Sequence, residues 1–171
     1  PLESCLVFAP VEGAFDDDGS VRAISQGEAL QILREARDRG SVHTTGNFGD
    51  HSNNICNCCA CCCALLRGVI EFQRPTVIAH SDFAATVDEV ACEGCSDCIE
   101  RCHFGALSLL GGVCAVDHAR CVGCGLCALA CSHGALSLGR RPEGEILPRP
   151  ADFGEWMAEH AKGRGISLEV P

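Results

Sequence analysis

One four-cysteine pattern occurs twice in this chain, and it restricts the possible folds more than any other feature. Both copies have the spacing Cys-x2-Cys-x2-Cys-x3-Cys. The first contains Cys92, Cys95, Cys98 and Cys102, and the second contains Cys121, Cys124, Cys127 and Cys131. The copies lie 29 residues apart, and 10 of 21 positions are identical between 90–110 and 119–139. A disulfide scaffold gives no reason for such a repeat, so it indicates a duplicated cluster-binding unit.

The spacing within each copy suits an iron–sulfur cubane. Three cysteines at intervals of three fit a tight loop that presents three thiolates to one cluster, with backbone N–H groups directed at the sulfides. The fourth cysteine follows at a short helix and faces away from that loop. Zinc is the alternative metal, but zinc sites usually combine two separated Cys-x2-Cys pairs. The pattern therefore favours iron–sulfur binding.

Residues 85–139 resemble a bacterial two-[4Fe-4S] ferredoxin. The resemblance implies two short β-hairpins and two short helices related by a pseudo-twofold axis, with the fourth cysteine of each copy on the other cluster. The implied ligands are Cys92, Cys95, Cys98 and Cys131 for cluster 1, and Cys121, Cys124, Cys127 and Cys102 for cluster 2. The proline usual after the fourth cysteine is replaced by His103 and Ser132. These residues predict either a hydrogen bond near a sulfide or a turn satisfied by other groups, and we favour the second.

A second cysteine cluster occupies residues 56–63, where six of eight residues are cysteine. It contains the same spacing in Cys56, Cys59 and Cys62, which predicts a third iron–sulfur centre. Its fourth ligand is Cys63 in our assignment, with Cys5, His43 and His51 as alternatives. Cys58 and Cys61 offer a competing frame, and zinc binding, thiol–disulfide chemistry and simple burial stay open. A helix over 58–73 would place Cys58, Cys59, Cys62 and Cys63 on one stripe.

The sequence predicts an α+β chain with three parts. Residues 1–80 form an N-terminal α/β region with the cysteine-rich motif, 81–140 the ferredoxin-like domain, and 141–171 an extended arm and a C-terminal helix. In the first part we expect strands at 5–8, 21–24 and 76–79. Ser25 and Glu28 form a capping box for a helix over 26–39 that Gly40 ends.

Smaller features of the chain are assigned ordinary roles. Cys114 is expected to be a buried strand residue. The polar stretch 43–54 could line a small-molecule site but fits an exposed loop better. Arg140, Arg141 and Arg149 are expected to be solvated, and the last helix is expected near 155–161.

Composition excludes several classes of function. The formal charge is −10, from 13 basic and 23 acidic residues, which disfavours nucleic-acid binding. The sequence contains no apolar run of about 18 residues, the length that a membrane span needs. The start of the chain lacks signal-peptide features. We therefore expect a cytoplasmic protein. The chain begins at Pro1, which is typical of a processed product or the later part of a longer polypeptide.

These observations predict an electron-transfer protein, or an electron-transfer subunit or domain of a larger oxidoreductase. It would use two [4Fe-4S] clusters and a further iron–sulfur centre at 56–63, with redox proteins as partners. The cysteine-rich motif before a dicluster unit also resembles a group of bacterial 4Fe-4S dicluster proteins, which implies redox function without a substrate. The alternative is an oxidoreductase whose cysteine-rich centre reduces a disulfide or another small substrate.

Overall fold

The structure is a computed structural model that describes residues 5–49, 52–74 and 77–166. It has the expected α+β composition, with five α-helices and seven short strands in these ranges. In chain order they are β1 Cys5–Val7, α1 Gln26–Asp38, β2 Val42–Thr44, β3 Asn54–Cys58, α2 Ala64–Ile70, β4 Phe83–Val87, α3 Asp97–Arg101, β5 Leu107–Leu110, β6 Val113–Val116, α4 Leu126–Ala130, β7 Leu136–Arg140 and α5 Phe153–Gly163.

The N-terminal strands form a three-stranded antiparallel sheet in the order β1-β3-β2. Helix α1 precedes β2 and begins as predicted, since the Ser25 hydroxyl accepts a hydrogen bond from the Glu28 N–H at 3.2 Å. It ends at Gly40, whose φ of +85° is a left-handed conformation that glycine adopts without strain. The Ser25 cap and the terminal glycine therefore agree with the sequence prediction, and the Glu28 carboxylate pairs with Arg22 at 2.6 Å.

The cysteine repeat folds into two antiparallel strand pairs, β4 with β7 and β5 with β6. Val87 lies opposite Leu136 in the first pair, and Val116 lies opposite Leu107 in the second. These are equivalent positions with the two copies exchanged, so each copy supplies one strand to each pair. The expectation of two hairpins needs correction, because only β5 and β6 are consecutive, whereas β4 and β7 lie at opposite ends of the repeat.

The interior is built from thiols and small apolar side chains. One buried cluster contains Ala85, Cys98, Leu107, Cys114, Cys127 and Leu136. A second contains Val42, Leu66, Phe104 and Leu126, with Cys58, Cys63, Cys102 and Cys124 packed against it. The second cluster joins β2, β3 and α2 to the ferredoxin-like part. The cysteine-rich segment and the repeat therefore share one packed interior.

Two polar side chains strengthen this junction. The Arg101 guanidinium donates to the carbonyls of Arg37 and Asp38 at 3.0 and 2.8 Å, at the C-terminal end of α1. His103 Nε2 lies 2.8 Å from the Gly40 carbonyl oxygen. A cation at this end satisfies carbonyls that the helix leaves unpaired and complements the helix dipole. His103 thus contacts the N-terminal region, in agreement with our choice against a sulfide hydrogen bond.

Three predicted elements differ in the structure. Residues 21–24 follow the acidic turn without forming a strand. The helix expected over 58–73 begins only at Ala64, since Cys58 still belongs to β3 and 59–62 turn the chain. Residues 77–79 are not a strand, and residue 76 lies outside the described ranges. The two strand predictions rested on short apolar runs and the helix on cysteine spacing, and in each case tertiary contacts decide the conformation.

The C-terminal arm folds back onto the chain. Asp152 caps α5 by accepting the Glu155 N–H at 2.8 Å, and the ring of Trp156 stacks on Phe153 with centroids 5.7 Å apart. Phe153 in turn meets Phe48 edge to face at 5.9 Å. None of the helices in the described ranges has the length and apolar character of a membrane span.

Replacing Arg101 tests the junction. Arg101→Met removes both hydrogen bonds to the end of α1, and we expect α1 to open more easily by about 1–2 kcal/mol, since hydrogen bonds to charged groups contribute at this level. Hydrogen exchange of the α1 amides measures the effect. Arg34→Met, an exposed substitution on the same helix, should leave exchange unchanged. Equal loss of protection in both variants would contradict the role of Arg101.

Candidate metal centres

Two cavities lie inside the ferredoxin-like part, and each is lined by four of the predicted ligands. Cavity A is lined by Cys102, Cys121, Cys124 and Cys127. Cavity B is lined by Cys92, Cys95, Cys98 and Cys131. Their volumes, counted out to the mouth, are nearly equal at about 350 and 340 Å³. In both cavities three cysteines come from one copy of the repeat and the fourth from the other.

The backbone supplies hydrogen bonds to the sulfurs in an equivalent way at both cavities. The Ala85 N–H donates to Cys121 Sγ at 3.5 Å, and the Cys114 N–H donates to Cys92 Sγ at 3.4 Å. Both donors lie on strands, 29 residues apart like the cysteines that accept. At cavity A the Ala106 N–H also donates to Cys102 Sγ at 3.4 Å. Such donors stabilise negative charge on thiolates.

Each cysteine loop presses a glycine against a neighbouring backbone. An added Cβ would lie 2.3 Å from the Gly112 carbonyl oxygen at Gly94, and 2.1 Å from the Phe83 carbonyl oxygen at Gly123. Both glycines also have positive φ, +68° and +76°. Glycine at these two positions lets the loops lie directly against β4 and the turn between β5 and β6.

Burial affects the protonation of the cavity thiols in the metal-free chain. It raises the pKa of Cys127 to about 12 and also raises that of Cys124 and Cys98. A thiol must lose its proton to bind a metal. Occupation of the cavities therefore releases protons and becomes weaker as the pH falls.

Cavity B contains a fifth thiol. Cys114 is buried on β6, as expected, and its Sγ lies 3.7 Å from Cys98 Sγ. Burial raises its pKa to about 12. Sequence analysis assigned Cys114 to the strand but gave no indication that its side chain lines the cavity, since strand alternation alone does not identify the neighbour across the repeat.

The cysteine-rich segment divides its thiols among three places. Cys56 on β3 lies opposite Cys5, with their sulfurs 3.7 Å apart. Cys58, also on β3, and Cys63 face the interior beside Leu66. On the turn between them Cys59, Cys61 and Cys62 come together, with all three sulfurs within 4.8 Å of one another. Of the four predicted third-centre ligands, only Cys59 and Cys62 are thus in one such group.

The thiols of the turn interact directly. Cys61 Sγ donates to Cys59 Sγ at 3.1 Å, and Cys61 and Cys62 sulfurs are 3.6 Å apart. Hydrogen bonds from Cys61 and Cys62 lower the pKa of Cys59 to about 7, while that of Cys61 is raised to about 11. Cys61 and Cys62 are exposed and Cys59 is half-buried.

Two histidines, His43 and His51, are the alternatives for the fourth ligand of the third centre, and the structure describes only His43. His43 pairs with Asn57 across the sheet, and its Nδ1 lies 2.7 Å from Asn57 Oδ1. Side chains alternate along a strand, so His43 and Asn57 lie on the face opposite to Cys56 and Cys58. His51 lies outside the described residues.

Arg141 supports the second cysteine loop, a role that the sequence did not indicate. It was expected to be solvated but is 5% exposed. Its guanidinium donates to the carbonyls of Ser81 at 3.1 Å and Cys121 at 2.5 Å, and so holds the start of the second cysteine loop. Nothing in the proline-rich arm around it distinguishes it from Arg140, which pairs with Glu143 at the surface.

The glycine contacts make a prediction with a matched control. Gly123→Ala places a methyl group against the Phe83 carbonyl and should cost several kcal/mol, since backbone there must shift. Gly134→Ala has a similar positive φ of +66° but open space around the new methyl group, so it should cost only about 1 kcal/mol. Urea unfolding with iron content per chain measures both. An equal loss of unfolding free energy in both variants would show that the positive φ alone, and not the contact with Phe83, sets the cost.

Comparison with known proteins agrees with this geometry in part of the chain. The 4Fe-4S binding domain family matches residues 114–137, a stretch that runs from β6 through Cys121, Cys124, Cys127 and Cys131 into β7. A comparison with curated proteins gives no match. The chain thus contains a ferredoxin-type 4Fe-4S binding region. That region supplies three cysteines to cavity A, and Cys114 and Cys131 to cavity B.

Proposed function

We propose that this chain relays single electrons between partner proteins through two [4Fe-4S] clusters, as a carrier or as part of a larger oxidoreductase. The observation that carries the proposal is the equivalence of the two cavities. Each is lined by three loop cysteines of one copy and the fourth cysteine of the other, and each has nearly equal volume and a strand N–H directed at the first cysteine of its loop. The family match covers only the second copy of the repeat. The proposal of a second cluster therefore depends on the equivalence of the two cavities.

The donor chemistry of both cavities fits iron–sulfur clusters. All-cysteine ligation is typical of [4Fe-4S] clusters, whereas a single zinc ion would need the four sulfurs gathered around one point. Cys102, Cys121, Cys124 and Cys127 would hold one cluster, and Cys92, Cys95, Cys98 and Cys131 the other. When bound, a [4Fe-4S] cluster supplies reversible one-electron oxidation and reduction.

The residues around each cavity tune such a centre. Hydrogen bonds from Ala85, Ala106 and Cys114 stabilise charge on the sulfurs, which favours the reduced state. Ala85, Leu107 and Leu136 limit access of water from the core side. Arg141 fixes the backbone at Cys121 and thus the orientation of the second loop.

The surface charge suits transient contact with basic redox partners. A formal charge of −10 attracts such partners over distances near the Debye length and raises the rate of encounter. Contacts of this type are small and short-lived. Cytoplasmic location and redox proteins as partners stay predictions.

The packed interior offers a route between cavity A and the cysteine-rich segment. Cys58 and Cys63 pack in the same buried cluster as Cys102 and Cys124. The prediction of a third iron–sulfur centre at residues 56–63 stays a prediction, and the single-ion site argued below is the alternative to it. Reduction of a disulfide by that segment, the alternative drawn from the sequence, also stays a prediction.

Double substitutions test whether the fourth cysteine of each copy binds the cluster of the other copy. Cys102→Ala with Cys121→Ala damages only cavity A, so about four of eight irons should remain. Cys92→Ala with Cys102→Ala damages both cavities and should remove nearly all iron. Iron and labile sulfide are counted per chain after anaerobic assembly.

The same two variants would also reveal the opposite ligand arrangement, which would contradict the proposal. If each loop held its own fourth cysteine, Cys92 and Cys102 would share a site, and that variant would keep about four irons while Cys102→Ala with Cys121→Ala lost all. Cys114→Ser serves as the control within cavity B, because it removes a thiol that is not among the proposed ligands.

Salt dependence tests the electrostatic part of the proposal. The anaerobically reduced protein should reduce basic cytochrome c more slowly as ionic strength rises, because salt screens the attraction. Ferricyanide, an anionic acceptor, should instead react faster as its repulsion is screened. Stopped-flow absorbance measures the rate with each acceptor at several ionic strengths, which gives the slope of rate against ionic strength. Identical slopes would remove the steering argument while leaving the clusters unaffected.

A further inference from the structure

The turn after β3 gathers three thiols around one point. Cys59, Cys61 and Cys62, which we call the outer thiol trio, have sulfurs that all lie within 4.8 Å of one another. Two of the separations are 3.1 and 3.6 Å. The turn is closed by the backbone, since the N–H groups of Cys62 and Cys63 both donate to the Cys59 carbonyl, at 3.4 and 3.1 Å.

The trio differs from the two cavities in a way that indicates its ligand. Among the described residues it is the one group of three or more potential ligands that converges this closely. The eight cysteines proposed for the clusters form no such group and instead line the two cavities. Cubane ligands bind different irons and stay apart, whereas ligands of one ion converge.

The separations match those around a single ion. With zinc–sulfur bonds of about 2.3 Å and tetrahedral angles, two sulfur ligands lie about 3.8 Å apart. The trio is already near that spacing without movement of β3 or α2. A cubane at the same place would require the turn to open.

We propose that Cys59, Cys61 and Cys62 bind one divalent thiophilic ion of the zinc class, with the fourth coordination position open to solvent. Three S–H bonds break, three metal–sulfur bonds form and up to three protons pass to solvent, with no change in oxidation state. The trio offers three ligands, as catalytic zinc sites do, whereas structural zinc sites use four. Exposure of Cys61 and Cys62 leaves the remaining position accessible.

The other thiols of the segment lie apart from this site. Cys58 and Cys63 are packed in the interior beside Leu66, and Cys56 is engaged by Cys5 and by Asn54, whose Nδ2 lies 3.2 Å from its sulfur. The inference deepens the proposed function, because it concerns the same segment, but it does not require the clusters to be redox-active.

The experiment uses the full chain with its clusters assembled anaerobically and a phosphine reductant present. Zn²⁺ is added, excess is removed with a chelator, and zinc and iron are counted per chain. We expect about one tightly bound zinc beside about eight irons, with X-ray absorption giving three sulfurs and one lighter atom at zinc. Cys61→Ser should weaken zinc binding by more than about 100-fold, since even groups outside the ligand shell contribute about 10–100-fold.

Two further variants separate the possible outcomes. Cys62→Ser should repeat the loss, and Cys5→Ser, another exposed thiol of the same sheet, should bind zinc as the unmodified chain does. A count of about eight irons in every variant would show that the variants fold and that the two proposed clusters assemble independently of the outer thiol trio. Four sulfurs at zinc, undiminished binding in Cys61→Ser, or about twelve irons falling to about eight in that variant would each overturn the proposal, the last in favour of a third cubane.

Discussion

Thiols line the places where a domain of this size would normally have large apolar side chains, and the rest of the structure follows from that. Leu66 is the one large side chain buried to below 2% among the described residues. The core of the ferredoxin-like part consists mostly of alanine, leucine and cysteine around two cavities. An interior of this kind makes too few contacts by itself to offset the entropy of folding. Metal–thiolate bonds can supply the missing stabilisation, so folding and cluster binding are expected to be coupled.

The exchange of the fourth cysteine explains how such a small repeat is held together. Cys102 lines the cavity of the second loop and Cys131 that of the first, so each cavity takes cysteines from both copies. The strand pairs repeat the same logic, with Val87 opposite Leu136 and Leu107 opposite Val116. Ligation and strand pairing thus reinforce one arrangement. This consistency between local and long-range contacts is typical of sequences with one stable fold.

The sequence predicted the repeat well because its information is local. The N-cap Ser25 and the terminal Gly40 of α1 act within a few residues of chain, and both agree with the structure. Arg141 and His103 act through carbonyls far along the chain, on the second cysteine loop and at Gly40. No local pattern identifies such partners, which is why a solvated arginine was expected where a buried one lies. The polarity of these residues was visible, but their partners depend on tertiary packing.

The segment 56–63 shows where spacing stops being informative. A cysteine at every third position describes a loop around a cubane only if the chain is a loop throughout, and here Cys56 and Cys58 belong to β3. Within the strand the side-chain period is two, so those thiols follow the sheet face and meet Cys5 and the interior. Beyond the strand the turn gathers Cys59, Cys61 and Cys62 regardless of the three-residue spacing. The boundary between strand and turn therefore separates Cys56 and Cys58 from the outer thiol trio, and Cys63 after the turn returns to the interior beside Cys102 and Cys124. Thiols of one short run can thus serve different chemistry.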